Sequence, residues 1–367
     1  RFAKGEGEDN RKVFSNAFFM VVAVCSLFLA GTSLFSESIS SSLGYEGFGK
    51  VIIYVGSILM LDCTTSIVFA RLRYQHKAVK FALIKTVKIL TEVGVNLVLY
   101  LILPLRLASG RNLWMLDFVS DSPDFTYAIF DILISCLVCL VLLIPEIASL
   151  KWNPDSELLK RLLSYSLPLM IAGLPGVLND FIDRVLMRFI NADPMMWRAD
   201  LGVYQAGVKI AVIMQLFIQM FRYAAEPFFF QREKEDGSRT IYADVLNYFT
   251  AFCMLGFLMI MLYIDEIGLI LGRNFRGGLS IAPIMLLAYI FLGMLFNVNM
   301  WYKLSGKTGY AVWITLAGLA VTIVVNAVWM PRHSYHAAAW AHLASYAAML
   351  LISALLGARH YRIPYSW

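Results

Sequence analysis

Charge is what this chain has least of. Only 15% of its 367 residues are Asp, Glu, Lys or Arg, against about 25% in an ordinary soluble domain. A soluble fold of this size needs a largely polar surface. The shortage therefore excludes a soluble enzyme, a nucleic-acid-binding module and a disordered chain. Cysteine is scarce too. Cys25, Cys63, Cys136, Cys139 and Cys253 all lie in apolar stretches, and none is spaced with histidine as metal ligands are. They read as small hydrophobes. His333 and His336 are three apart, but they fall in a turn with no carboxylate beside them, and no metal site is expected. Gly5 and Gly7 are not followed by Gly-Lys-Ser/Thr, so they form no phosphate loop. No Ser/His/Asp or Cys/His set sits at one depth in the chain, so no catalytic residues and no cofactor are expected.

What the chain has in excess is apolar surface. Hydrophobic residues make up 59% and aromatics 14%, and the mean hydropathy is +0.68. A membrane-crossing helix needs about 20 mostly apolar residues. Ten stretches qualify: 13–35, 48–70, 80–103, 125–145, 161–188, 200–227, 241–264, 280–302, 308–330 and 335–357. The longest connection, 104–124, is too short to hold a catalytic domain. With the first residues on side one, the loops of that side carry 18 Lys and Arg, against 8 on side two. The positive-inside rule makes side one cytoplasmic, with both visible ends inside. The net charge of +6 then sets topology rather than recruiting nucleic acid. The aromatic run Phe228-Phe229-Phe230 reads as an interfacial anchor.

A weak internal repeat is present. Arg73, Phe81-Ala82, Asn96 and Pro104 are echoed by Lys303, Tyr310-Ala311, Asn326 and Pro331. Each copy is a basic loop residue, an aromatic-Ala helix start, a buried Asn and an outer Pro. Two homologous bundles running the same way through the membrane follow from it, a common transporter plan. The charged stretch 146–160 is the natural linker.

Ionisable groups in hydrocarbon cost at least about 2.5–3.5 kcal/mol each at mid-bilayer, so their alignment is informative. In the third stretch Lys85, Lys88, Glu92 and Asn96 fall within an arc of about 80°. Lys88 lies about 12 Å deep at 1.5 Å per residue, level with Asp62, and an Asp62–Lys88 or Asp62–Lys85 pair is expected. The alternative is that both lysines snorkel to the lipid phosphates. Glu92, about 18 Å deep, points to a water-filled cavity. In the sixth stretch Gln205, Lys209, Gln215, Gln219, Arg222 and Glu226 share about 140° of the helix. Arg222 and Glu226, four apart, either form a structural pair or line a site. Lys209 needs a partner from another helix, and Asp180 and Asp183 should lie at its level. Asp180 and Arg184 share one face. These groups are either an ion, proton or ligand site or a structural salt-bridge cluster. Pro168 and Pro175 predict kinks or a break in that helix. Asp131 is isolated and is expected to meet a lysine of the third stretch.

Taken together, several segments resemble the bacterial oligosaccharide-lipid flippases of the multidrug/oligosaccharidyl-lipid/polysaccharide exporter superfamily, particularly those of Bacteroidetes type. They are Val203-Tyr204-Gln205-Ala206-Gly207-Val208-Lys209, Phe221-Arg222 through Glu226-Pro227 to Phe230, Ser166-Leu167-Pro168-Leu169 and Ile182-Asp183-Arg184. Phe69-Ala70-Arg71-Leu72-Arg73, Phe81-Ala82-Leu83-Ile84-Lys85, Trp301-Tyr302-Lys303-Leu304 and Tyr361-Arg362-Ile363-Pro364-Tyr365 fit as well. The resemblance covers nearly the whole chain, through order and spacing rather than one diagnostic motif. It implies an all-α transmembrane fold, with about ten visible spans of a twelve- to fourteen-helix, two-bundle transporter. Residues 1–145 would be a partial N-terminal bundle lacking its first two helices, 146–160 a cytoplasmic linker and 161–367 the C-terminal bundle. It implies a transporter of the bacterial inner membrane, not an enzyme, that moves undecaprenyl-pyrophosphate-linked oligosaccharide between leaflets by alternating access for surface polysaccharide assembly. Lys85, Lys88, Arg184, Lys209 and Arg222 would line a cationic cavity that replaces the hydration of the pyrophosphate. Asp62, Glu92, Asp180, Asp183 and Glu226 would serve Na+ or H+ coupling or structural pairing. Two other readings stay open: a drug/cation antiporter of the same superfamily, and a membrane glycan polymerase or acyltransferase.

Overall fold

The computed structural model describes residues 10–102, 125–150, 155–191, 195–232 and 238–365. The long connection 104–124, with Pro104 of the repeat, lies outside them. Among the described residues every regular element is helical. In chain order the α-helices are α1 (Asn10–Leu34), α2 (Ser36–Ser42), α3 (Gly49–Tyr74), α4 (Ala78–Leu97), α5 (Phe125–Ala148), α6 (Ser156–Ile190) and α7 (Trp197–Arg232). They continue as α8 (Ser238–Leu262), α9 (Ile264–Ile270), α10 (Ala282–Val298), α11 (Met300–Leu304), α12 (Tyr310–His333) and α13 (Tyr335–His360). A π-helical turn, Val98–Ile102, extends α4, and a 3-10 helix, Arg273–Ser280, precedes α10.

Nine of these stretches are long and apolar enough to cross a membrane: α1, α3, α5, α6, α7, α8, α10 continued through α11, α12 and α13. Their outer faces carry exposed Leu27, Phe28, Leu169, Met170, Leu258, Val324, Leu351 and Leu355. Apolar surface on that scale is stable against lipid and not against water. The chain is a multi-pass membrane protein. The tenth expected span is helical as α4, but it fails the apolar requirement because Lys80, Lys85, Lys88 and Glu92 fall within its 20 residues. Pro168 and Pro175 do not break α6, which runs unbroken through both.

The chain forms two compact units, Arg1–Ser166 and Leu167–Trp367. In the first, Phe18, Val68, Phe69, Leu72, Ile84, Cys139 and Leu143 from α1, α3, α4 and α5 form the core. One end of this core is tied by charge. Arg71 is 7% exposed, and its Nη1 donates to the Glu146 carbonyl at 3.1 Å and to Ser149 Oγ at 2.6 Å. A cation there satisfies a carbonyl left unpaired by the last turn of α5. Lys80 Nζ reaches the carboxylate of Glu146, in the last turn of α5, at 2.7 Å. Nearby, Asp155 Oδ1 accepts from the amides of Glu157 and Leu158 and so caps α6. Lys12 Nζ meets Asp155 Oδ2 at 2.7 Å.

In the second unit, two thirds of the α10–α11 span is buried against 17% of α8, so α10 is the central helix. Lipid gives helices no hydrophobic reason to associate, and small residues that permit close packing take over that role. Buried Ala337, Ala338, Ala341, Ser345, Ser353 and Gly357 provide such a face on α13, which packs on α10 and α12. Trp301 of α11 lies over Gly357 and donates from Nε1 to Ser353 Oγ at 3.2 Å. The expected interfacial run is partly core: Phe229 is buried, edge-on to Tyr242. A close approach occurs at Gly207 of α7, where a Cβ would collide with the Gly278 carbonyl and the Ile281 side chain.

Two consequences can be measured. Gly207→Val should destabilise the second unit by about 1–3 kcal/mol, seen as earlier thermal unfolding in detergent; an unchanged transition would show that the approach is not rigid. Lys12 and the first amides of α6 hold the Asp155 carboxyl below the usual carboxylate range. Its stabilisation is thus present above the unfolded value of about pH 4 and is lost as pH falls through the lower folded value. Asp155→Asn should melt earlier than the wild type at neutral pH, and the gap should close below that window.

Candidate functional site

The polar stripe of α4 is matched by its neighbours in the first unit. Lys88 Nζ meets Asp62 Oδ1 of α3 at 2.7 Å. The Lys88 side chain is 15% exposed and that of Asp62 50%, so the pair has one covered and one open partner. Cys136 of α5 completes the group, with Sγ 3.6 Å from the same carboxylate oxygen. Lys85 does not share Asp62; its ammonium lies 4.4 Å from the Phe69 ring centroid, a cation–π contact. Asp131 is 2% exposed and does not meet a lysine. Asn96 Nδ2 donates to its Oδ2 at 2.5 Å. An amide suffices because it supplies the hydrogen bond that a buried carboxylate requires. Glu92 is half-buried and has no ion pair among the described residues.

The second unit holds a denser cluster. Every fourth residue of α6 from Pro175 is buried, so Asn179, Asp183 and Met187 form one inward stripe. Asp183 is 0% exposed. Its Oδ2 faces His342 Nε2 of α13 at 3.4 Å, and its Oδ1 lies 3.8 Å from Arg184 Nη1. Neither contact is a hydrogen bond of standard geometry. Arg184 also donates to the Asp180 backbone carbonyl, and its guanidinium lies 4.8 Å from the Phe181 ring centroid. The Asp180 carboxylate takes a different partner, the Tyr346 hydroxyl, at 2.8 Å. Asn179 Oδ1 accepts from Thr322 of α12 at 2.6 Å and from Ser345 of α13 at 3.0 Å. Lys209 is exposed and makes no ion pair among the described residues. The expectation that Asp180 or Asp183 partners it is therefore corrected. Asp183 has Arg184 and His342 beside it, and neither aspartate needs a lysine. The two copies of the repeat also differ. Asn96 binds a neighbouring helix, whereas Asn326 donates to the Thr322 carbonyl one turn back in its own helix.

A third group surrounds a small open cleft with a cavity volume of about 20 Å³. Arg222 Nε lies 3.9 Å from Glu226 Oε2, the expected pair, but Lys303 Nζ of α11 holds Oε1 at 2.6 Å. The Arg222 guanidinium lies 4.6 Å from the Phe296 ring centroid. Asn297 also lines the pocket; its side chain is buried with Oδ1 unpaired. Two cations thus surround one carboxylate beside accessible space, an arrangement able to receive an anion.

Reading the sequence missed His342, Tyr346 and Asn179 as members of the Asp183 cluster, and Lys303 as a member of the Arg222 pocket. A signal existed for the first group: Asn179 and Asp183, like His342 and Tyr346, are four apart and share a helix face. Among the described residues no group of three His, Cys, Asp or Glu side chains could hold a metal ion, and His336 instead meets Ser280 Oγ at 2.9 Å. Comparison with protein-family models, curated proteins and solved structures finds no match to this chain.

The Asp62–Lys88 pair is testable by itself. Lys88→Ala strands a carboxylate at membrane depth and should lower stability. The double variant Lys88→Ala/Asp62→Asn should recover much of the loss. A double variant as unstable as the sum of the singles would show that the two do not act as a pair.

Proposed function

We propose that this protein is a flippase that moves undecaprenyl-pyrophosphate-linked oligosaccharide from the inner to the outer leaflet of the bacterial inner membrane by alternating access. The observation that carries this reading is the small cleft of Arg222, Lys303 and Glu226, where two cations share one carboxylate. A pyrophosphate cannot enter hydrocarbon bare. Arg222 and Lys303 supply charge-assisted donors in place of its water, and the surplus positive charge favours an anion over a cation. Phe221, Phe229 and Phe296 form apolar walls around the same space, suited to the boundary between a charged headgroup and its lipid. The motifs quoted above, from Val203 to Lys209 and from Phe221 to Phe230, support the same reading through their resemblance to oligosaccharide-lipid flippases. The 18-to-8 bias of basic residues puts the Arg222 end on the cytoplasmic side, where such a lipid is made.

A drug/cation antiporter is the second reading. It is favoured by one observation, the fully buried Asp183, because a buried acid suits a cationic cargo.

The deciding experiment is reconstitution of the purified chain in vesicles with a fluorescent lipid-linked oligosaccharide, scoring the leaflet it occupies. Arg222→Ala and Lys303→Ala should each slow its transfer about tenfold or more, since a hydrogen bond to a charged group contributes about 1.5–3 kcal/mol. Normal transfer by the folded double variant would sink the assignment. Vesicles that move organic cations and leave the lipid in place would establish the antiporter instead.

A further inference from the structure

The second unit carries a groove along α13, lined by apolar side chains alone, with a cavity volume of about 440 Å³. Ala347, Ala354 and Ala358 lie within about 40° of one another at 3.6 residues per turn, and they form its floor. Leu351 and Leu355, 61% and 60% exposed, stand along it, and Phe291 of α10 lines it from the neighbouring helix. These alanines are not the small residues that pack α13 on its neighbours; that face is made by Ala337, Ala341, Ser345 and Gly357. Ala358 is exposed, and Ala347 and Ala354 are half-buried. From Ala347 to Ala358 the groove runs about 16 Å at 1.5 Å per residue. That is close to half of a hydrocarbon core of about 30 Å, so the groove spans one leaflet. It lies toward the end of α13 at His360, which the bias of basic residues assigns to the cytoplasmic side.

Positive charge gathers where the groove ends. Arg359 and Arg362 are exposed and make no ion pair among the described residues. Arg239 of α8 reaches the same end, its guanidinium 4.7 Å from the Tyr361 ring centroid. An apolar groove one leaflet long that ends on unpaired guanidiniums matches the two parts of a phospholipid, a chain and an anionic head. Basic pockets between membrane helices hold such headgroups on the cytoplasmic side, and the guanidinium fork suits a phosphate. A docked helix would explain the alanines but leave the arginines without a counter-charge. An undecaprenyl tail is far longer than the groove.

We propose that this groove binds one anionic phospholipid of the cytoplasmic leaflet, with an acyl chain laid over Ala347, Ala354 and Ala358 and the phosphate held by Arg359 and Arg362. A chain that enters the groove exchanges one apolar surrounding for another and gains little. The headgroup therefore supplies the affinity, and the groove fixes where along α13 the lipid sits. The site stands on this geometry and does not depend on which cargo the protein moves.

The test uses the full chain purified in detergent and incubated with equal amounts of phosphatidylglycerol and phosphatidylcholine, with the retained lipids counted by native mass spectrometry. The wild type should keep one phosphatidylglycerol in preference to phosphatidylcholine. Arg359→Ala and Arg362→Ala should each lower that preference about fivefold, the worth of one basic residue beside an anionic headgroup. Ala354→Phe fills the groove and should lose the lipid, whereas Ala354→Ser leaves it open and should keep it. Equal retention of the two lipids, an unchanged preference in the folded double arginine variant, or a lipid that stays on Ala354→Phe would each overturn the proposal. A lipid-free wild-type dimer that Ala354→Phe converts to monomer would overturn it too, and would give the groove to a second copy of the chain. Should Ala354→Phe fail to fold, the thermal midpoint decides. Phosphatidylglycerol should raise it in the wild type and not in the double arginine variant; an equal rise in both overturns the site. Retention is scored without any lipid-linked oligosaccharide, so neither result bears on the flippase reading.

Discussion

A charge inside a low-dielectric bundle must be matched where it sits, and that constraint organises both units. Removing one partner of a buried pair is far more damaging than never having had the pair. Each pairing therefore ties helices together. Arg71 and Lys80 hold the ends of α3 and α4 to the end of α5 through Glu146 and Ser149. Lys88 joins α4 to α3 through Asp62, and Asp131 joins α5 to α4 through Asn96. In the second unit Asp183 faces His342 across α6 and α13, and Glu226 joins α7 to α11 through Lys303. The contacts set which helix faces turn toward each other, a decision that the apolar residues, equally at home in lipid, leave open.

Close approach then depends on what does not protrude. The small residues of α13 let Trp301 lie over Gly357, and Gly207 lets α7 touch the 3-10 turn before α10. Where helices come this close, polar side chains can reach one another directly. Asn179 is held by hydroxyls from two other helices, Thr322 and Ser345. The outer faces, by contrast, are loosely specified. Only 17% of the apolar window of α6 and of α8 is buried within the chain, and bulky apolar side chains suffice on the rest.

The same matching gives the proposed activity its shape. A cation held by a resident carboxylate, as Arg222 and Lys303 are by Glu226, costs little while the site is empty. It can still exchange that partner for an incoming anion. Pairs of this kind store binding capacity without leaving a bare charge in the membrane.

The class of this protein was legible in its residues. Scarce charge and long apolar stretches require a membrane, and nine of the ten expected spans have the length and composition to cross one. The tenth, α4, is helical but falls outside that set by composition. Its periodicity and length suit a span, but its four ionisable side chains give it a character that depends on neighbours. Pairings within one helix turn, such as Arg222 with Glu226, could be read from spacing because 3.6 residues per turn fixes them. So could the depth match of Asp62 and Lys88. The pairings that only the tertiary structure decided join helices distant in sequence: Asp131 with Asn96, Asp183 with His342, Glu226 with Lys303. Depth along a helix follows from counting residues. Rotation about its axis follows from packing, and a lysine such as Lys209 changes from partner to exposed side chain on that rotation alone.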